Sequence, residues 1–126
     1  MDDTVTREQL QKALRERHTQ EVQEKLDKAR VAVAGLGGLG SHVATALARI
    51  GVGHLHLVDF DVVDITNLNR QQYTARHLGT CKTDALADAL REINPYLDIY
   101  TDRVKVTEDN LVSLFSGETI ICEAFD

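Results

Sequence analysis

Apolar and polar positions along this chain follow two rhythms. Four short blocks carry apolar residues consecutively or at alternate places, and the stretches between them carry apolar residues three and four apart. The block VAVA at 31–34 is continuous and half β-branched, which predicts a strand buried on both faces. LHLV at 55–58 predicts a second strand, stopping at Asp59. LDIYTDRVKV at 97–106 alternates as a third strand does, and residues 119–122 read as a fourth, buried one.

Helical spacing fills the intervals. Thr6 with Gln9 makes a capping box for a first helix whose apolar stripe is Leu10, Ala13 and Leu14. Arg17-His18-Thr19 interrupts it, and Thr19 caps a second helix carrying Val22, Leu26 and Ala29. Val43, Ala44, Leu47 and Ile50 predict a helix over 41–50, ended by Gly51 and Gly53. Residues 62–68 are too irregular for a long helix and read as a loop with a short turn. Thr80 is the expected N-cap of a helix over 81–93, with Leu86, Ala89, Leu90 and Ile93 buried and Asn94-Pro95 as its stop. Thr107 is expected to cap a short helix with Leu111, Leu114 and Phe115, closed by Ser116-Gly117. This alternation predicts an α/β fold, a Rossmann-like doubly wound and mainly parallel sheet. Residues 1–30 form an N-terminal helical arm and residues 31–126 the α/β domain.

Composition narrows the class. The chain has 126 residues, 43% hydrophobic and 27% charged, which suits a single domain with a real core. The absence of Trp makes that core aliphatic. A formal net charge of −6 argues against general binding to nucleic acid or a membrane surface. Basic groups divide evenly, seven in residues 1–30 and seven beyond, while thirteen of the twenty acids lie beyond. There is no signal peptide and no apolar run long enough to cross a membrane. Cys81 and Cys122 are far apart and form no CxxC pair, so reduced thiols in a cytoplasmic protein are expected.

The chemistry concentrates after the first strand. Gly35, Gly37, Gly38 and Gly40 stand between it and the next helix. Such a turn brings main chain close to an anion, and the helix start offers free N–H groups and the positive end of a dipole. Asp59, ending the second strand, is placed to accept hydrogen bonds from ribose hydroxyls. Gly35, Gly37 and Gly40 thus satisfy the dinucleotide fingerprint in its required strand–turn–helix context, and no Gly-Lys-Ser/Thr makes it a Walker loop. Beyond Asp59 come Asp61, Asn67, Arg70, Gln71 and Lys82. A triphosphate needs cations for its tail and carboxylates for Mg2+, so Arg70 and Lys82 tilt the reading from a dinucleotide towards ATP, with Asp59, Asp61 and Asp64 flanking the site. Lys82 in the first turn of a helix opposes the dipole, which a bound anion would offset. The plainer readings are a solvated lysine and, for Arg70, a surface salt bridge.

GLGGLGS, then LVDFDVV, then NLNRQ, a following Lys and finally EAFD resemble the adenylation domain of the ThiF/MoeB/ubiquitin-activating superfamily. The resemblance covers essentially the whole chain and is nearest to the short sulfur-carrier adenylyltransferases of thiamine biosynthesis. It implies ATP-dependent adenylation of the C-terminal carboxylate of a small ubiquitin-like sulfur carrier protein, with release of pyrophosphate. It also implies that Asn67 and Arg70 face ATP, that Lys82 contacts the phosphates, and that Asp126 helps hold Mg2+. Arg17, with Arg15 as the alternative, would reach the nucleotide of a dimer partner, so a homodimer is expected. Relatives continue well past the strand before Asp126, so the chain is read as an N-terminal fragment or truncated domain.

Two other classes stay open. An NAD-binding oxidoreductase domain explains the glycines and Asp59 but leaves Arg70 and Lys82 idle. A non-catalytic dimerising module of the same fold binds no nucleotide tightly. His54 and His56 share a strand face and could hold metal, but lack a third ligand nearby, so ordinary partners are expected. His42 and His77 read as helix-surface and loop positions, and the two cysteines as core or near-core thiols.

Overall fold

A computed structural model of the chain describes residues 4–17 and 19–125. Two helices come first, α1 (Arg7–Arg17) and α2 (Gln20–Lys28), then β1 (Arg30–Ala34), α3 (Gly38–Ile50) and β2 (His54–Val58). Two 3-10 turns (Ile65–Asn67 and Ala75–His77) lead into α4 (Lys82–Ile93), followed by β3 (Asp98–Asp102), α5 (Leu111–Phe115) and β4 (Ile120–Glu123). The strands form one sheet in the order β3-β2-β1-β4, every pair parallel. The α/β class and the mainly parallel sheet are as the sequence predicts.

The register explains the apolar blocks. Val31 and Val33 lie beside Leu55 and Leu57. This face packs with Leu36, Ala44, Ala48, Leu86 and Leu90 into the main core beneath α3 and α4. Ala32, Ala34 and Val58 point to the other face, where Phe115 of α5 covers them with Val104, Val106 and Leu114. With both faces covered, β1 and β2 are buried almost throughout, as continuous apolar strands require. The chain runs β1 to β2 to β3 in one direction and then places β4 on the other side of β1. The order therefore reverses between β1 and β4, and ligands in open α/β sheets sit outside the carboxyl ends of strands at such a point.

Local chemistry sets the element ends. Thr6 and Gln9 exchange side-chain-to-main-chain hydrogen bonds at 2.9 and 3.1 Å, closing the expected capping box. Thr19 accepts from the N–H of Val22 at the start of α2. Gly51 ends α3 with φ 99°, the left-handed conformation glycine adopts without strain.

Several expectations need correcting. α4 starts at Lys82, with Cys81 and not Thr80 before it, because Thr80 is drawn into pairing with Val63, whose N–H donates to its carbonyl at 2.8 Å. Thr107 does not cap α5: Asn110 stands there, its Oδ1 accepting from the N–H of Thr107, so a turn precedes the helix. β3 ends at Asp102, opposite the last residue of β2, and 103–106 leave the sheet. Ile50 is exposed, and Ala48 takes the place in the stripe of α3 that Ile50 was expected to fill. In α2 the buried residue is Gln23, not Val22. β4 is an edge strand, with Ile120 54% and Ile121 48% exposed, because only β1 pairs with it.

Candidate functional site

The glycine turn leaves β1 with Gly35 at φ 94°. A side chain at Gly35 would meet the main chain of Ala124, which follows β4, at 2.9 Å, so glycine lets the two strand ends lie against each other. Gly40 serves packing: a Cβ there would stand 1.7 Å from the carbonyl oxygen of Gly35. Gly37 and Gly38 face the loop after β2 instead, near the side chains of Gln71 and Arg70 respectively. α3 begins with no side-chain cap, so its first-turn N–H groups keep their capacity for an anion.

Asp59 is nearly buried and ties the turn to the next strand. Its Oδ2 accepts from the N–H of Leu36 at 2.7 Å and its Oδ1 from the N–H of Asp61 at 2.8 Å. Each oxygen retains a lone pair that can accept from a ribose hydroxyl. Sequence reading missed Tyr73, whose hydroxyl donates to the carbonyl of Leu36 at 2.6 Å from the opposite side. Burial, assisted by the negative charge of Asp59, pushes the pKa of this phenol far up, so it stays a neutral donor. No spacing rule marks a tyrosine fifteen residues past the end of β2 as a partner of the residues that follow β1.

Gly35, Gly37, Asp59, Asp61, Asn67, Arg70, Gln71 and Lys82 all line one cavity of about 410 Å³ at the carboxyl ends of the strands. Its remaining walls are Leu36, Phe60, Val104, Ala124 and Phe125, which the sequence did not single out. Asn67 is buried, its Oδ1 accepting from the N–H of Asp64, so its amide NH2 is what it has for a ligand. Gln71 is 8% exposed, and its Oε1 is buried without a protein partner. Arg70 is exposed, with Nη1 donating to the carbonyl of Thr66 at 3.0 Å and to Asn69 at 3.2 Å. Lys82 is 6% exposed, yet among the described residues the carboxylate oxygen paired with its ammonium, on Asp61, is 4.0 Å away. A nearly buried cation with so distant a counter-charge leaves room for an anion.

Arg17 and Gly38, both from the sequence reading, lie outside this lining, and Arg17 was expected at a partner's nucleotide and not here. Arg17 lies exposed in the last turn of α1, outside the lining. Gly38 is beside Arg70 without being part of the wall. Asp126 lies outside the described residues. Among the described residues no group of three His, Cys, Asp or Glu side chains could hold a metal ion, so these residues alone do not make a Mg2+ site. His54 and His56 have carboxylate partners: His54 bonds Asp98, and His56 sits between Asp102 and Glu118. A wider cavity of about 570 Å³ opens at the other end of the strands, by Arg7, the turn from Gly51 to Gly53, Tyr96 and Asp98, but none of the residues singled out for the nucleotide lines it.

Comparison with known proteins agrees with this geometry. The chain is 40% identical over 107 residues to the molybdopterin-synthase adenylyltransferase of Salmonella typhimurium, covering 84% of this chain and 43% of that protein. It is 38% identical over 103 residues to the adenylyltransferase and sulfurtransferase MOCS3 of Culex quinquefasciatus, covering 81% of this chain and 24% of the relative. The crystal structure of the Escherichia coli tRNA N6-threonylcarbamoyladenosine dehydratase, in complex with ATP, superposes with a TM-score of 0.89 at 31% identity, over 98% of this chain and 52% of that one. The chain therefore spans about half or less of the length of these relatives. The ThiF family model matches residues 8–126, and the chain belongs to the ThiF family.

Proposed function

We propose that the chain carries the nucleotide site of an enzyme that adenylates the C-terminal carboxylate of a small ubiquitin-like sulfur carrier protein. The observation that carries this reading is the meeting of the glycine turn, Arg70, Gln71 and the nearly buried Lys82 in one cavity. A carboxylate oxygen attacks the α-phosphorus of ATP, an O–P bond forms, the bond to the β-phosphate oxygen breaks, and pyrophosphate leaves with the charge. Lys82 and Arg70 oppose the charge on the phosphates, the N–H groups at the start of α3 hold them, and Asp59 takes the ribose. Gln71 and Asn67 supply amides to the same ligand, and the main-chain carbonyl of Asp61, accepting from the N–H of Lys82 at 3.0 Å, keeps Lys82 at the cavity wall.

Mg2+ is proposed to arrive with the nucleotide, held mainly by phosphate oxygens as this ion commonly is. The described residues give it no cage, so every step above belongs to Arg70, Lys82, Asp59 and the turn. A homodimer in which Arg17 reaches the partner's nucleotide, a cytoplasmic setting and a place in thiamine biosynthesis complete the proposal. Relatives named for molybdopterin synthase and for tRNA modification make the acceptor the open choice. The net charge of −6 favours a protein tail over tRNA, whose phosphates need basic surface. No helix among the described residues is long and apolar enough to cross a membrane.

The test is isotope exchange between pyrophosphate and ATP in the presence of a candidate carrier. Exchange that needs the carrier's free C-terminal carboxylate is expected. Exchange supported by tRNA and not by any carrier would replace the acceptor.

A further inference from the structure

We propose that His42 is a positioning residue for Arg70, fixing from α3 the main chain that presents Arg70 and Gln71 to the cavity. This rests on the reading of Arg70 as a phosphate-binding group.

Nε2 of His42 lies 2.8 Å from the carbonyl oxygen of Arg70, and Nδ1 lies 2.7 Å from Nε2 of Gln72. One tautomer satisfies both contacts. A carbonyl has no proton to give, so Nε2–H donates to Arg70, and Nδ1, without a proton, accepts from the Gln72 amide. The neighbouring Ser41 continues the clasp, its Oγ accepting from the main-chain N–H of Gln72 at 3.2 Å. Successive residues of α3 therefore grip both ends of the segment 70–72, with Arg70 and Gln71 in the cavity wall. From the other side the N–H groups of Arg70 and Gln71 donate to the carbonyl of Asn67 at 3.3 and 2.9 Å.

An exposed arginine on a loop loses side-chain and main-chain freedom when it grips a phosphate, and fixing the main chain beforehand reduces that loss. The helix that carries His42 also starts directly after Gly37, which is part of the cavity wall. His42 thus sets the guanidinium and the helix start at a fixed separation, as two halves of one anion clamp. It is exposed and outside the cavity lining, so it acts through Arg70 and not on the ligand. His42 is a helix-surface residue as expected, and both its hydrogen bonds run to the segment 70–72.

The test titrates ATP, and separately adenosine, into the chain and its variants H42A, H42Q, R70A and the H42A/R70A double variant. H42A is expected to weaken ATP about threefold to tenfold, the net worth of one neutral hydrogen bond, and to leave adenosine unchanged. H42Q, whose amide nitrogen can still donate to the Arg70 carbonyl, is expected to recover most of the ATP affinity. In the R70A background the H42A change is expected to add nothing, because its effect passes through Arg70. Equal loss for ATP and adenosine, full additivity with R70A, or no loss in H42A while R70A weakens ATP would each overturn the positioning role. Undiminished ATP affinity in R70A would instead overturn the reading of Arg70 itself.

Discussion

The phenol of Tyr73 and the carboxylate of Asp59 hold the same residue, Leu36, by its carbonyl and its N–H. Leu36 is fully buried, so neither group has water as a substitute partner. Tyr73→Phe should therefore cost about 1–3 kcal/mol, the penalty for a buried acceptor left without a donor. Urea denaturation checks this: a lower midpoint with an unchanged slope is expected, and an unchanged midpoint would mean the carbonyl finds another donor. A second prediction concerns acid. Hydrogen bonds from Arg76 and then His77 hold the Asp88 carboxyl below its usual range. Its folded pKa lies below its unfolded one, so its contribution is present above the ordinary carboxylate range and is lost as pH falls through the folded value. Wild type should exceed Asp88→Asn in unfolding midpoint at about pH 7, with the gap closing below about pH 4. A gap that persists in acid would show that Asp88 acts by packing alone. Of the candidate site, Gly35, Gly37, Asp59, Asp61, Asn67, Arg70, Gln71 and Lys82 were legible as residues beforehand and line one cavity. Tyr73 and His42 were not, because their partners lie across the fold and no local rule connects 36 with 73 or 42 with 70.

Elements were most legible where one apolar rhythm had one explanation. The continuous runs that became β1 and β2, and the glycine after α3, follow from burial on both faces and from left-handed backbone. Ends and edges were less legible. A strand such as β4 reads as buried from its apolar run, but its exposure depends on how many neighbours it has. Glycines separate the same way. Gly40→Ala would drive a methyl to 1.7 Å from the Gly35 carbonyl oxygen, main chain that α3 and β1 both hold in place. It should destabilise by about 3 kcal/mol or more, at or above the top of the overpacking range. Gly117→Ala, with nothing within 4 Å of the new methyl, should shift stability by less than about 0.5 kcal/mol. Thermal unfolding of the two variants side by side checks the contrast, and similar midpoints would refute the close approach of α3 to the turn.

At the scale of the molecule, the reversal of strand order between β1 and β4 gathers the glycine turn, Asp59 and the loop after β2 at one end of the sheet. The fold class was legible because the element order alone favours a parallel sheet. The crevice was legible because ligands sit at the switch point of such sheets. The nucleotide is decided by charge. Arg70→Ala should weaken ATP about tenfold to a hundredfold, as the loss of a charge-assisted hydrogen bond does. Calorimetric titration of the chain with ATP in the presence of Mg2+, and separately with NAD, tests the central claim most directly. Saturable binding of ATP and none of NAD is the predicted result; NAD binding without ATP binding would contradict it.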